Sequence, residues 1–436
     1  MRRYDKLALL VLILLSGCSA GMELQAGGPP AQSDADGGTT APAAPDAGAP
    51  MPSCLASSLL AELGKSKLLV GADMTDSIAE MASFDVRYLY LAGGLADGSG
   101  ICSSCSSGCT AGAVSCANSG PGCAWWGCWQ SDASPPGHYV RDLLAKAQSM
   151  GELPMITYYE LLQTSGVPEG DAEISTALRD TPLMTRFFND WRFVLQQLGS
   201  RAALLHLEPD LWGYAQKLDA NPHRLAAAVA RANPTDCARQ EESVAGLGRC
   251  LIAMVRKYAP NAKVGLHASA WGTGIDTHQN TDPSLDVAAE ARRLGDFLIE
   301  CGAKDSDYVV IEASDRDAGF YRTLGKETFW DPTDATLPTF RQAFTWARAL
   351  TERIGRPALW WQLPLGNMAL PNTINQWQDN RVDYFFSHPA DVARSNAFGM
   401  VFGAGESRQT KPYTDQGNFV SQVQHLAAAA GQTPCP

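Results

Sequence analysis

Histidine is scarce, positive charge is outnumbered, and no apolar run is long enough to cross a bilayer in this 436-residue chain. A membrane-spanning helix needs about 20 consecutive apolar residues, so no membrane-spanning helix is expected. Lysine and arginine total 34 against 46 acidic residues, giving a net charge of −12. That balance argues against nucleic acid and other polyanions as partners, because phosphate recognition rests on basic side chains. The seven histidines show no zinc-like spacing.

What is present begins with an export signal. Met1-Arg2-Arg3 and Lys6 form a basic start, residues 7–15 are unbroken apolar, and Leu15-Ser16-Gly17-Cys18 ends the run with small residues and a cysteine. This order reads as a secretory signal peptide. Its last four residues resemble the bacterial lipoprotein box, which implies acylation of Cys18 and membrane attachment through an N-terminal lipid. Ser19 after the cysteine points to outer-membrane or cell-surface delivery. Residues 19–53 are mostly Ala, Gly, Pro, Asp, Ser and Thr with almost no large apolar side chain, and so read as a disordered tether. The expected organisation is a leader over 1–18, a tether over 19–53 and one domain over 54–436.

Cysteine usage supports export. Cys102, Cys105, Cys109, Cys116, Cys123 and Cys128 crowd into one Gly- and Ser-rich stretch that carries Trp125, Trp126 and Trp129. In an oxidising compartment disulfides are favoured over a metal for these six, with their pairing left open. Cys237 with Cys250, and Cys54 with Cys435, are plausible further pairs, leaving Cys301 free and buried.

The rest of the chain has a rhythm. Apolar, β-favouring runs occur at 68–73, 86–91, 154–160, 204–208, 263–271, 308–314, 358–363 and 398–403. Between them, 140–150, 185–198, 244–258, 287–301, 339–354 and 419–429 place apolar residues at spacings of three and four. Eight alternations argue for an α/β fold, a single TIM-type (β/α)8 barrel with a disulfide-rich loop after the second strand. An open doubly wound sheet is the competitor, but no strand runs into a glycine-rich dinucleotide turn.

In such a barrel the C-terminal strand ends carry function. Strand one ends in Asp73, three in Tyr159-Glu160, four in Glu208 and Asp210 followed by Trp212 and Tyr214. Strand five ends in Ser269 and Trp271, six in Glu312 and Asp315, seven in Gln362 with Asn367 behind, and eight near Glu406. Alternate residues on a strand share a face, so His206 and Glu208 point together, as do His267 and Trp271. Glu208 and Glu312, facing inward from strands four and six, would meet across the mouth. Two opposed carboxylates are the minimum for cleaving a glycosidic bond. Trp212, Tyr214, Trp271 and one of Trp360 or Trp361 offer flat faces for a sugar ring. Gln362 and Asn367 suit hydroxyl recognition, and Asp73, Tyr159, Glu160, Asp210, His267 and Asp315 complete the expected binding set.

The segments HLEPDLWGY, HASAWGTG, EASDRDAGF and WWQLPLGN, at 206–214, 267–274, 312–320 and 360–367, resemble secreted bacterial barrel glycoside hydrolases. The resemblance covers about residues 68–430. Within it, the α-galactosidase-like clan places a nucleophile on strand four and a proton donor on strand six, which implies Glu208 and Glu312 in those roles. The clan's acids are aspartates, and the commoner Asn-Glu pair at strand four is missing here.

Other readings compete. Asp210, Asp315 and Asp317 are alternative acids, with Asp315-Arg316-Asp317 equally readable as an ion-paired loop. His206 and His267 with Glu208 could ligate a metal, but Asp73 stands where a metal-dependent barrel hydrolase has His-x-His, so no metal or other cofactor is expected. No strand runs into a Gly-x-Ser-x-Gly elbow, which disfavours a serine hydrolase. The expectation is a cell-surface hydrolase or transglycosylase acting on an uncharged glycan. A non-catalytic carbohydrate-binding lipoprotein is the alternative.

Overall fold

The computed structural model describes residues 54–92, 95, 137–164 and 170–434. The expected leader with Cys18, the tether and the cysteine-rich loop lie outside the described residues. So does Cys435, the expected partner of Cys54. Among the described residues no helix is long and apolar enough to cross a membrane.

Eight parallel strands close into a barrel in chain order. They are β1 (Leu69–Ala72), β2 (Val86–Ala92), β3 (Leu153–Tyr159), β4 (Leu204–Leu207), β5 (Lys263–Ala268), β6 (Tyr308–Glu312), β7 (Ala358–Leu363) and β8 (Ala397–Phe402). Closure is made by β8 against β1, with Gly399 opposite Leu69 and Phe402 opposite Ala72. Each strand falls within two or three residues of an apolar run read from the sequence. The Val- and Leu-rich stretches are buried on both faces, as a parallel barrel wrapped by helices requires.

The six expected helices form as His138–Met150, Thr181–Leu198, Val244–Tyr258, Val287–Glu300, Phe340–Ile354 and Asn418–Ala428. Their starts are set by side-chain caps. Asp180, Ser243, Asp286 and Thr339 each accept a backbone N–H in the first turn. Helices with weaker periodic signals also form, including Leu55–Glu62 before the barrel and Leu211–Leu218 directly after β4. The Cys237–Cys250 disulfide has a Cα–Cα distance of 5.5 Å and staples the long β4–β5 connection to helix Val244–Tyr258. Among the described residues Cys301 is free, and it is buried.

Alternation divides the strands between two cores. Outward residues pack on the helices, while Leu69, Tyr88, Met155, Leu204, Tyr308, Val310, Leu359 and Trp361 fill the interior. Ala56, Leu59 and Leu60 of helix Leu55–Glu62 join that inner cluster. The same helix places Glu62 on Lys263 at the start of β5, so it plugs the N-terminal end of the barrel. Among the described residues the opposite end stays open.

Candidate active site at the mouth of the barrel

The interior turns polar towards the C-terminal strand ends. His206 on β4 and His267 on β5 are fully buried and stacked, with His206 Nε2 and His267 Nδ1 3.0 Å apart. Thr157 Oγ1 lies 3.2 Å from His206 Nδ1. Burial depresses both imidazoles, His267 to about 3, so both are neutral at physiological pH. Trp361 lies against the pair, its ring centroid 4.5 Å from that of His206. Above this floor a cavity of about 590 Å³ opens to solvent.

Three residues at the mouth leave the strand pleat. Glu208, Asp210 and Gln362 have φ of 46°, 67° and 52°, in the left-handed region that side-chain-bearing residues seldom adopt. Such strain persists only where the surroundings over-determine it, and it clusters at functional sites. On β7 the register against β8 slips between Trp360 and Leu363, so three residues face two. Gln362 is part of that bulge and turns into the cavity instead of outward.

At the end of β4 the same effect redirects the acids. Continued alternation would point Glu208 into the mouth. Its left-handed backbone turns the carboxylate aside, where Oε1 accepts the N–H groups of Glu160 and Leu161 at 3.0 and 3.1 Å. The side chain is fully buried, does not line the cavity, and burial pushes its pKa up to about 8. Two residues on, Asp210 lines the cavity and accepts from the Tyr159 hydroxyl at 3.3 Å. The expected meeting of Glu208 with Glu312 is therefore replaced by one of Asp210 with Glu312. Single ligand atoms of Asp210, Glu312 and His267 all lie within 4.8 Å of one another.

Glu312 is braced from β7. Gln362 Nε2 donates to Glu312 Oε1 at 2.7 Å, and Tyr90 on β2 donates its hydroxyl to Gln362 Oε1. Burial, followed by the negative charges of Asp210 and Asp315, holds the Glu312 carboxyl well above the ordinary carboxylate range. Asp315 is tied to Arg316 at 2.7 Å and to the Tyr321 hydroxyl. These three residues form one wall. Tyr214 and Trp271 form another, with ring centroids 4.9 Å apart and Lys217 Nζ 4.9 Å from the indole centroid. Their approach depends on Gly213, where a Cβ would stand 2.7 Å from Ser269 Oγ and from the Trp271 ring.

Of the residues expected from the sequence, Tyr159, Asp210, Tyr214, Trp271, Glu312, Asp315 and Gln362 line one cavity. Of the two adjacent tryptophans, Trp361 faces it, while Trp360 packs outward on Phe344 and Phe385. Others stand elsewhere. Trp212 is fully buried and donates its indole N–H to the Leu207 carbonyl at 3.0 Å, so it packs in the core. Asn367 donates to the Asp415 carbonyl at 2.7 Å and ties the β7–β8 connection to the segment after β8. Glu160 is buried beside Glu208, and Asp73 sits at the end of β1, both outside the cavity lining. Glu406 is paired with Arg408 at 3.1 Å. Asp317 accepts the N–H groups of Gly366 and Thr410 at 2.9 and 2.8 Å and so locks two loops together.

The sequence reading missed Tyr90, His278, Tyr321 and Lys326, which also line the cavity. Tyr90 was accessible by period two, since it shares the inward face of β2 with Val86 and Tyr88. The other three belong to long connections with no periodic signal.

No protein-family model matches the sequence, and no curated protein matches it. Among solved structures the chain is similar to an endo-1,4-β-D-mannanase from Thermotoga petrophila RKU-1, at 11% identity and a TM-score of 0.42, over 83% of this chain and 99% of that one. It is also similar to a glycoside hydrolase family 5 mannosidase from Rhizomucor miehei, at 11% identity and TM-score 0.42, over 84% and 95%. A third is the carboxyl transferase domain of pyruvate carboxylase from Rhizobium etli, at 9% identity and TM-score 0.35, over 91% and 54%. These likenesses concern barrel architecture.

Proposed function

We propose that the chain is a glycoside hydrolase whose carboxylate pair is Asp210 and Glu312, acting on an uncharged glycan held against Trp271, Tyr214 and Trp361. The observation that carries this reading is the convergence of two acids, from the ends of β4 and β6, within 4.8 Å in a cavity walled by aromatic rings. The volume of about 590 Å³ suits a bound oligosaccharide segment, since small-molecule sites span about 300–1,000 Å³.

The environments of the two acids support distinct roles. Glu312, kept protonated by burial and by its acidic neighbours, donates its proton to the leaving glycosidic oxygen. Asp210, oriented by Tyr159, attacks the anomeric carbon as that bond breaks. Glu312, now ionised, takes a proton from the water that releases the sugar from Asp210. Close approach favours this retaining course, because retaining pairs stand about 5–5.5 Å apart and inverting pairs about 6.5–9.5 Å. Gln362 and Tyr90 fix Glu312 throughout.

The test is a polysaccharide panel assayed with the wild type, Asp210→Asn, Glu312→Gln and Glu208→Gln. Losses of about 10² to 10⁴-fold are expected in the first two variants, the range for a displaced acid or base. Glu208→Gln keeps most of its activity. Unchanged turnover in Asp210→Asn would refute the pair, and glycan binding without turnover in the wild type would assign the cavity to capture alone. The same reading places the enzyme on a lipid anchor at Cys18, supported by the basic start, the apolar run and the small residues before that cysteine. Partition of the wild type, but not Cys18→Ala, into a detergent phase checks it.

A further inference from the structure

We propose that Asp210, Glu312 and the Nε2 atom of His267 form a binding site for a divalent transition-metal cation. The inference does not depend on the hydrolase reading, because it rests on the donor set alone. Ligand atoms of the three residues already lie within 4.8 Å of one another. A central ion with bonds of about 2.0–2.2 Å requires its donors to stand no more than about 4.4 Å apart. Small side-chain rotations close that gap.

The second observation is the state of His267. The side chain is fully buried, its Nδ1 is engaged by His206, and its Nε2 has no hydrogen-bond partner among the described residues. A buried polar nitrogen left unsatisfied is costly, so an orphan beside two carboxylates calls for an occupant. The hydrogen-bond chain behind it suits one arrangement of protons. With hydrogen on Nδ1, His267 donates to His206 Nε2, and His206 donates from Nδ1 to Thr157 Oγ1. That order leaves the lone pair on His267 Nε2 free for an occupant. It reproduces the outer-shell support that metal-bound imidazoles ordinarily have.

Chemistry narrows the ion. One imidazole nitrogen and two carboxylate oxygens suit Zn²⁺, Mn²⁺ or Co²⁺ better than Ca²⁺ or Mg²⁺, which take oxygen-only shells. Arg316, the guanidinium closest in sequence to Glu312, is turned onto Asp315. The cavity above leaves further coordination positions open to water or ligand. A cation here takes the lone pairs that sugar cleavage would use, so on the hydrolase reading a bound ion inhibits turnover and a chelator restores it.

The experiment is titration of the full chain, stripped with a chelator and dialysed, with Zn²⁺ by calorimetry and with Co²⁺ by visible absorption. One ion per chain is expected, with a ligand-field band of a nitrogen- and oxygen-ligated site. His267→Gln and Asp210→Asn should each weaken binding at least tenfold, while Glu208→Gln leaves it unchanged. His223, which bridges Glu241 and Glu300 on the surface, provides the control. Absence of binding at millimolar ion, binding abolished by His223→Ala, or binding unaltered in both His267→Gln and Asp210→Asn would overturn the proposal. Zn²⁺ binding that survives where no glycan is cleaved would sink the hydrolase reading and leave this one standing.

Discussion

Replacing Glu208 by glutamine should change stability in a way that depends on pH and reverses sign. The wild-type carboxyl is fully buried, with its pKa raised from an ordinary 4.5 to about 8, chiefly by desolvation. A raised folded-state pKa means that the native protein holds a proton which the unfolded chain releases above pH 4.5. The stability linked to that proton is complete below 4.5 and is lost progressively as pH rises towards 8. The slope is about 1.4 kcal/mol per pH unit. Glutamine does not titrate, so the variant escapes this loss. Its carbonyl oxygen can keep both N–H groups of Glu160 and Leu161. Its NH₂ group, however, brings two donors where the protonated Glu208 Oε2 brings one, to a place with no partner among the described residues, and the extra donor costs about 1–3 kcal/mol. The variant should therefore melt below the wild type near pH 5.5. Between pH 5.5 and 7.5 the difference should move in its favour by about 2.7 kcal/mol. In a domain of this size that is about 3 °C. Melting curves followed by circular dichroism at matched ionic strength check it. A difference between variant and wild type that stays flat across this window would refute the buried, protonated Glu208 and return that residue to solvent and to the catalytic mouth.

Three further outcomes follow from the same geometry. Trp271→Ala should raise KM about tenfold with little change in kcat, since the indole offers a binding face and no reacting atom; a kcat-only defect would contradict its place on the wall. Gln362→Leu removes the donor on Glu312 that holds its pKa down, so the pH at which activity falls through loss of the acid's proton should move upward, read from the profile of kcat/KM. Cys237→Ser paired with Cys250→Ser opens a short loop and should cost about 3 kcal/mol of stability, seen as a lower Tm that reducing agent reproduces in the wild type.

The fold was legible because its signals are local. Apolar runs of strand length, alternating with stretches of helical period, name their own elements, and eight alternations leave few ways to bury so many faces. The six periodic helices and all eight strands formed near their expected positions. Legibility ended where chain direction departs from periodicity. Strict alternation makes Glu208 the inward acid, and that expectation fails at a left-handed residue, whereas Gln362, expected at the site, reaches the cavity through its own left-handed backbone. Trp212 illustrates a second limit, since a tryptophan after a strand-end acid can stack on a ligand or close the core, and here the Leu207 carbonyl takes its N–H.

From its residues alone the chain determined a barrel with acids and aromatics gathered at one end, because hydrophobic period and strand polarity are properties of short segments. Which acid faces which was decided only in three dimensions. Backbone strain at Glu208, Asp210 and Gln362 is held in place by contacts from β3, β6 and β2, and it is this distant packing that turns one carboxylate into the wall and brings another to Glu312.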